Sequence, residues 1–446
     1  MKIKDESLQQ EKDDEDIDDA KSLIKEKYRL DVAGKLFTYV SSPRIPTVYR
    51  FWVSLKELVN VDDLQKAVDN IIGRFPYYQV QLSRGFLWYK WKTTTEIPQI
   101  THETDYPLQY IPIKEPNTFP YRIIASYNKI IVEFNHCLTD GVGTLTFLKA
   151  LTAEYLTLKG FVTNDWGDIF RPNQTPVAEE FEYSYRKNFK IGIPKLGKVY
   201  RAFHLPFEKE KLGVTHVISG KMNVNEILEN CKKWQVTLTE FLTAVYIDAL
   251  QEIMFEMPKK QLKRKKRPIR IMIPINARKL IPSKTMRNFT MFIAPGIDPR
   301  LGEFSFKEII EQVHHYKNLH INEKYLVQII SNYVAMEVNP FVHATPSFLK
   351  SLFVKPIYRK TGEALFSAFL TNLGRTSMPI PLNEEVLDIQ LLPMNHPYFK
   401  SSCALLTYFD DLYINFARSI KESVVEEKFF NKLRYFGIEV KINESI

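Results

Sequence analysis

The 446-residue sequence lacks several features that would assign a protein class directly. It has no run of about 18 apolar residues, which argues against a transmembrane helix, and its charged N-terminus lacks the apolar segment of a secretory signal. It has three cysteines (Cys137, Cys231 and Cys403), with neither zinc spacing nor a disulfide framework. These absences predict a cytoplasmic protein with reduced thiols.

Several catalytic signatures are also missing. The sequence contains no Gly-x-Ser-x-Gly nucleophile elbow and no Gly-x-x-x-x-Gly-Lys-Ser/Thr phosphate loop. The glycines of Gly141-Val142-Gly143 lack the third glycine of a dinucleotide fingerprint. No group of histidines, cysteines and carboxylates shows metal-ligand spacing. We therefore expect no metal site and no permanently bound cofactor.

Positive charge is abundant but unevenly distributed. The formal net charge is +9, yet residues 1–20 carry three lysines and nine acidic residues, a net of −6, which leaves +15 on the remainder. A basic body favours an anionic ligand that bears phosphates. Nucleic acid is not the expected partner, because no helix-turn-helix, finger or RNA-binding signature is present. The basic run at 259–267 leaves that alternative open, beside a nuclear address or a solvated loop.

Composition divides the chain into four segments. Residues 1–26 are predicted to form a disordered acidic tail, since a polar segment of this kind cannot bury a core. Residues 27–165 are predicted to form an N-terminal lobe and residues 216–446 a C-terminal lobe. The proline-bearing segment 166–215 is interpreted as the crossover between the lobes.

One stretch places reactive side chains at a turn from a strand to a helix. A strand-like run over 129–134 leads into His136, Asp140 and Gly141, and a helix-like apolar repeat follows. A neutral imidazole such as that of His136 can take a proton from an attacking hydroxyl or amine. Asp140 could pair with a cation from elsewhere in the chain. Two alternatives stay open: His136 as a hydrogen-bonded core histidine, and Asp140 as the N-cap of the helix.

Local signals also predict elements on either side of this motif. Capping boxes at 237–240 and 305–308 predict the starts of two helices. Asp62 or Asp63 is expected to cap a helix that ends at Gly73. Strands are expected over 49–55, 269–276 and 287–292, and an apolar strand beginning at 368 is expected to turn polar at Thr371-Asn372.

These stretches together resemble the coenzyme A-dependent acyltransferase superfamily. That superfamily includes chloramphenicol acetyltransferase, condensation domains, plant BAHD acyltransferases and alcohol acetyltransferases, and the last branch is the nearest. The resemblance covers roughly residues 28–440 and is strongest around 50–91, 130–160, 270–292 and 368–375. It implies an α/β (α+β) fold of two chloramphenicol-acetyltransferase-like lobes, each a mixed β-sheet with helices, and an active-site tunnel between them.

The resemblance also implies an activity: transfer of an acyl group, with acetyl favoured, from coenzyme A to an alcohol or amine without a covalent acyl-enzyme. His136 would be the general base, and Arg278 would form a structural ion pair with Asp140. The backbone of Gly141 and the side chains of Thr371 and Asn372 are the candidates for contact with the substrate oxyanion. Acyl-coenzyme A would then be a co-substrate.

The sequence departs from the superfamily in two places. Asn135 stands where condensation domains carry a second histidine, and the plant Asp-Phe-Gly-Trp-Gly motif is absent. The alternative from another class is a non-catalytic condensation-like binding or scaffold protein. The sequence leaves the acceptor, the acyl length and the oligomeric state open, and a monomer is compatible with it.

Overall fold

The computed structural model describes residues 26–197, 199–396 and 398–445. The predicted disordered tail, residues 1–26, therefore lies outside the described residues except for Glu26. The boundaries of the two lobes and of the crossover stay predictions.

The described residues form 16 strands in three sheets. In chain order the strands are β1 (Lys27–Arg29), β2 (Val48–Leu55), β3 (Val80–Ser83), β4 (Lys90–Thr93), β5 (Ile100–His102), β6 (Tyr121–Ser126), β7 (Lys129–Asn135), β8 (His216–Asn223), β9 (Ile269–Asn276), β10 (Thr290–Ile293), β11 (Gly296–Ile297), β12 (Ala368–Thr376), β13 (Val386–Leu392), β14 (Ser401–Tyr408), β15 (Asp411–Arg418) and β16 (Lys441–Ser445).

Helices cover these sheets. In chain order they are α1 (Val32–Val40), α2 (Val61–Ile71), α3 (Gly141–Leu158), α4 (Ser184–Lys187), α5 (Val224–Trp234), α6 (Leu238–Phe255), α7 (Lys259–Lys265), α8 (Phe306–His320), α9 (Glu323–Val338), α10 (Pro340–Ala344), α11 (Ser347–Thr361), α12 (Leu382–Glu385) and α13 (Val424–Tyr435).

The first large sheet has the order β13-β2-β7-β6-β5. All of its pairs are antiparallel except β5 with β6. The edge strand β13 comes from the C-terminal half of the sequence, where its residues 386–392 pair with 50–55 of β2. The first lobe is therefore completed by a strand that the sequence analysis assigned to the second.

The second large sheet has the order β10-β9-β12-β14-β15-β8-β16, with β11 also paired to β9. Strand β12 runs parallel to both β9 and β14, and the other pairs are antiparallel. The mixed α/β architecture predicted from the sequence is confirmed. Asn415 of β15 links the two sheets, because its amide donates to the Leu391 carbonyl of β13 at 2.9 Å.

Two capping boxes predict helix starts correctly. The capping boxes of Thr237 with Glu240 and of Ser305 with Glu308 are present at the starts of α6 and α8. The predicted cap of α2 is wrong by two or three residues. The side chain of Asn60 accepts from the Asp63 N–H at 2.9 Å, because the chain is still extended at Asn60 and enters the helix directly after it.

Two structural absences hold for the described part of the chain. None of its helices has the length and apolar character needed to cross a membrane. None of its histidine, cysteine and carboxylate side chains form a group that could hold a metal ion.

Candidate functional site

The motif lies at the end of β7, where the strand meets the first turn of α3. Asn135 ends the strand opposite Val48 of β2, and the His136 N–H donates to the Thr47 carbonyl at 2.8 Å. Gly141 begins α3, with Asp140 as its N-cap. The backbone on both sides of His136 is thus held by a sheet and by a helix, which fixes where its side chain can reach.

The imidazole of His136 is oriented by a residue of the second lobe. Its Nδ1 lies 3.1 Å from Oδ1 of Asn288, and the Nδ2 of the same amide donates to the His136 carbonyl at 3.1 Å. Because Nδ2 is engaged as a donor, Oδ1 faces the ring and accepts from Nδ1–H. This contact assigns the neutral tautomer and leaves the lone pair on Nε2.

Two aromatic rings flank His136. The ring of Phe37 stacks on it with centroids 4.5 Å apart, and the ring of Tyr49 is tilted at 4.8 Å. The side chain is only partly exposed. Burial lowers the pKa of His136, although the charge of Asp140 and the hydrogen bond with Asn288 oppose the shift. The ring is therefore neutral at neutral pH, the state in which it can accept a proton.

Asp140 is 2% exposed and joins the two lobes. Its Oδ2 accepts from the Phe289 N–H at 2.8 Å, from the Thr290 hydroxyl at 3.0 Å and from Arg278 Nη1 at 2.8 Å. Its Oδ1 accepts from the Gly143 N–H at 3.4 Å, so the same carboxylate is both a helix cap and an ion-pair partner. Burial alone would raise the pKa of Asp140, but the Arg278 charge and these hydrogen bonds lower it below its ordinary value.

The ion pair of Arg278 with Asp140 is present, and it is made by one hydrogen bond, from Nη1. The Arg278 Nε donates to the Thr285 carbonyl at 3.0 Å and its Nη2 to the Arg287 carbonyl at 2.5 Å. Only Nη1 remains for the carboxylate, because the other two donor positions hold the loop that leads to β10. Arg278 thereby positions both Asp140 and the segment that carries Asn288.

Gly141 lies against β12. A Cβ added at Gly141 would come within 3.2 Å of Leu373 Cδ2, which shows that the start of α3 and this strand adjoin. Thr371 lies two residues before Leu373 in the same strand. The strand that carries Thr371 therefore adjoins the start of α3.

Asn372 has a different environment. The predicted polar turn is instead part of β12, which continues to Thr376 with a bulge between 372 and 375. The amide of Asn372 accepts from the Gly374 N–H at 2.8 Å and donates to Thr239 Oγ1 at 3.0 Å. Gly374 adopts a φ of 87° there, which a glycine tolerates. The amide of Asn372 thus stabilises the bulge.

Asn288 was not predicted to be the partner of His136. Its only signal in the sequence was its position in the stretch 270–292, where the family resemblance is strong. The role of Gly143 was missed as well. A Cβ there would lie 2.2 Å from Thr139 Oγ1, 2.3 Å from the Tyr78 hydroxyl and 2.8 Å from the Met286 carbonyl oxygen.

This close approach gives a stability prediction. Gly143→Ala is expected to destabilise the fold by about 1–3 kcal/mol or more, because three packed groups would have to move. Two of them also hold the Met286 carbonyl, from Thr139 Oγ1 at 2.6 Å and from the Tyr78 hydroxyl at 3.0 Å. Gly141→Ala is the matched control, since it lies in the same helical turn and meets only leucine methyls and a phenyl edge. Equal urea midpoints for the two variants would contradict the prediction.

A basic cavity of about 1350 Å³ lies near the motif, with lining from both halves of the sequence. Pro46, the neighbour of Thr47, is part of its lining, but His136 is not. Its cationic side chains are Arg44, Arg201, Lys209, Lys211, Lys355, Arg359 and Lys360, with Glu210 as the acidic one. An adjoining cavity of about 370 Å³ adds Lys265, Arg267 and Lys400.

Part of the basic run at 259–267 lies beside these cavities. Residues 259–265 form the short helix α7, in which no residue is buried, and Lys265 and Arg267 line the smaller cavity. Burial lowers the pKa of Lys400 to about 8, and the charges of Lys209 and Lys265 act in the same direction. The cavities therefore concentrate positive charge. The predicted tunnel past His136 stays a prediction.

A family model described as alcohol acetyltransferase matches residues 189–332, less than half of the chain. That segment includes Arg278 and Asn288 but not His136. No curated protein matches the sequence.

Solved structures share the fold over nearly the whole chain. The starter condensation domain of rhizomide synthetase in complex with C8-CoA has a TM-score of 0.60 at 11% identity, covering 94% of this chain and 95% of that one. The trichothecene 15-O-acetyltransferase of Fusarium sporotrichioides has a TM-score of 0.58 at 10% identity, covering 92% and 94%. Polyketide synthase associated protein 5 of Mycobacterium tuberculosis has a TM-score of 0.56 at 14% identity, covering 91% and 96%.

Proposed function

Since the predicted resemblance to the coenzyme A-dependent acyltransferase superfamily is confirmed, we propose that this protein transfers an acyl group from coenzyme A to an alcohol or amine, with acetyl the favoured group. The observation that carries the proposal is the contact of His136 with Asn288. Nδ1 is engaged by Asn288 Oδ1 at 3.1 Å, so the basic lone pair is on Nε2, in a partly exposed ring.

In the proposed reaction, the oxygen or nitrogen of the acceptor attacks the thioester carbonyl with its lone pair. His136 Nε2 takes the proton of that hydroxyl or amine at the same time. A new C–O or C–N bond forms, and the carbonyl oxygen becomes an oxyanion. Collapse of this intermediate breaks the C–S bond. The coenzyme A thiolate then takes the proton from the imidazolium, which restores the neutral ring without an acyl-enzyme.

The oxyanion needs hydrogen-bond donors within reach. The proposed donors are the backbone N–H of Gly141 and the hydroxyl of Thr371. Gly141 is the first residue of an 18-residue helix, whose N-terminal end carries partial positive charge. The contact point at Leu373 supports the pairing of these two segments. Asn372 is a weaker candidate, because its amide already bonds Thr239 and Gly374.

The basic cavities support an anionic co-substrate. Together they bring ten lysine and arginine side chains into one region of the surface. The phosphates of coenzyme A carry charge of the opposite sign, and such a field raises the rate of encounter with an anion. No metal enters this mechanism, since the proposed proton transfers and oxyanion contacts use side chains and backbone alone.

The proposal is tested by incubating the full chain with acetyl-coenzyme A and a panel of alcohols and amines. We expect thiol release that depends on the acceptor, together with the acylated product by mass spectrometry. Longer acyl-coenzyme A thioesters, run in parallel, report the acyl preference. Binding of coenzyme A without transfer to any acceptor would instead favour the non-catalytic binding or scaffold alternative.

A further inference from the structure

Helix α11 is oriented with polar side chains toward the protein. The Ser347 N–H donates to the Phe86 carbonyl at 2.8 Å, and its hydroxyl donates to the Gly85 carbonyl at 2.9 Å. Lys350 is fully buried, where its Nζ donates to the Leu87 carbonyl at 2.6 Å and lies 3.3 Å from the centre of a Trp88 ring. These contacts fix which side of the helix faces inward.

The outward side of α11 is apolar over residues 348–353 and carries both apolar and cationic side chains beyond them. Its exposed side chains recur at spacings that lie on one side of a helix. Phe348 is 55% exposed, Leu352 69% and Ile357 50%. Leu349 and Phe353 lie between them and are also exposed. A surface helix of a globular protein normally turns this side toward the core, so α11 is inverted.

Neighbouring elements extend this surface. Phe341 of α10 is 85% exposed, and Phe86, in the loop that bonds Ser347, is 77% exposed. We call the exposed apolar side chains of α10, α11 and Phe86 the apolar face. Several large exposed apolar side chains on neighbouring elements mark a site of interaction with a partner or a membrane.

The charge of this segment favours one kind of partner. Residues 340–361 contain no aspartate or glutamate. Lys355, Arg359 and Lys360 are exposed near the C-terminal end of α11. A helix with large apolar side chains beside cations fits the headgroup region of a bilayer that contains anionic lipids.

The polar composition argues against a protein partner. No serine, threonine, asparagine or glutamine between 340 and 360 is exposed, because Thr345, Ser347 and Ser351 are all at least half-buried. A protein interface of standard size carries about ten direct hydrogen bonds and has a polar rim. The exposed part of this segment offers few neutral donors or acceptors for such bonds.

We propose that the apolar face docks onto the surface of an anionic lipid bilayer, with α11 lying in the interface and Lys355, Arg359 and Lys360 contacting lipid phosphates. This is a peripheral contact, which needs no membrane-spanning helix. It does not depend on acyl transfer. The same three cations also line the basic cavity, so docking would bring the membrane to the edge of that cavity.

The test uses the full chain and vesicle flotation. Vesicles of phosphatidylcholine with phosphatidylserine are expected to carry the protein, and vesicles of phosphatidylcholine alone are expected to carry less. Leu352→Glu is expected to lower vesicle binding by at least about tenfold. The substitution puts a charged carboxylate where an apolar leucine would enter the bilayer. Neutralising Lys355, Arg359 and Lys360 with glutamine should remove the phosphatidylserine dependence.

Tyr127→Glu is the matched control. Tyr127 is 86% exposed and lies in the turn between β6 and β7, at the opposite end of β7 from Asn135. This variant is expected to bind vesicles as the unaltered protein does. All of the variants are expected to unfold at the same midpoint as the unaltered protein. The proposal is overturned if no vesicle binding occurs or if Tyr127→Glu lowers it equally. Sedimentation velocity tests for self-association. A dimer that is dissociated by Leu352→Glu, together with an absence of vesicle binding, would overturn the proposal in favour of self-association.

Discussion

Replacing His136 with alanine is expected to lower kcat for acyl transfer by about 10²–10⁴-fold, the contribution typical of a general base. The KM for acyl-coenzyme A should change little, because the proposed role of the ring is toward the acceptor proton. Steady-state thiol release at saturating acceptor measures both quantities. The loss should be catalytic, since Asn288 and Tyr49 remain in place around the site.

His102→Ala is the control for this experiment. His102 ends the edge strand β5 and is exposed, so its removal should leave kcat unchanged. An active His136→Ala enzyme would remove the imidazole from the mechanism. Loss of activity in both variants would point to a general effect on the fold.

The pH profile follows from the environment of His136. Burial lowers the pKa of the ring below its ordinary value of 6.5, against the charge of Asp140. The base works only when neutral, so kcat/KM is expected to hold at neutral pH and fall only below pH 6.5. Asn288→Asp should move this acid limb to higher pH, because a carboxylate at Nδ1 stabilises the imidazolium. An unmoved limb would show that the titrating group is not this histidine.

Removal of Arg278 is expected to have the largest effect on stability. Arg278→Ala should lower the free energy of unfolding by about 3–5 kcal/mol, because it leaves the buried charge of Asp140 without its cation. The side chains are 10% and 3% exposed, so water cannot replace the lost partner. Urea denaturation at neutral pH measures the change.

Lys284→Ala is the matched control, because Lys284 pairs with Glu179 at 3.5 Å but both side chains are more than half exposed. We expect no measurable change in its urea midpoint. The pH dependence gives a second check. The folded state lowers the pKa of Asp140 below its ordinary value of 3.8, so the stabilisation is complete above that pH and is lost as the pH falls through the folded value. Well below the folded pKa of Asp140, the free energies of unfolding of Arg278→Ala and the unaltered protein should converge. An undiminished difference there would contradict this assignment.

Several features could be predicted without coordinates because short-range interactions determine them. A capping box needs only a side chain and a backbone N–H three residues apart, so the starts of α6 and α8 are visible in the sequence. The strand, turn and helix around His136 follow from the spacing of apolar residues that are also only a few positions apart. The ion pair of Asp140 with Arg278 spans 138 residues, and only the family resemblance suggested it.

Other features depend on which segments, distant in the sequence, come into contact. The local spacing of apolar and polar residues does not specify those contacts. Asn288 reaches His136 because Arg278 holds the loop before β10 and also bonds Asp140 of the first lobe. Strand β13 completes the first sheet because its edge pairs with β2, although it follows β12 in the chain. The inversion of α11 arises in the same way. Its buried Lys350 is held by carbonyl oxygen and an indole ring from the loop before β4, and this contact turns the apolar side of the helix to the surface.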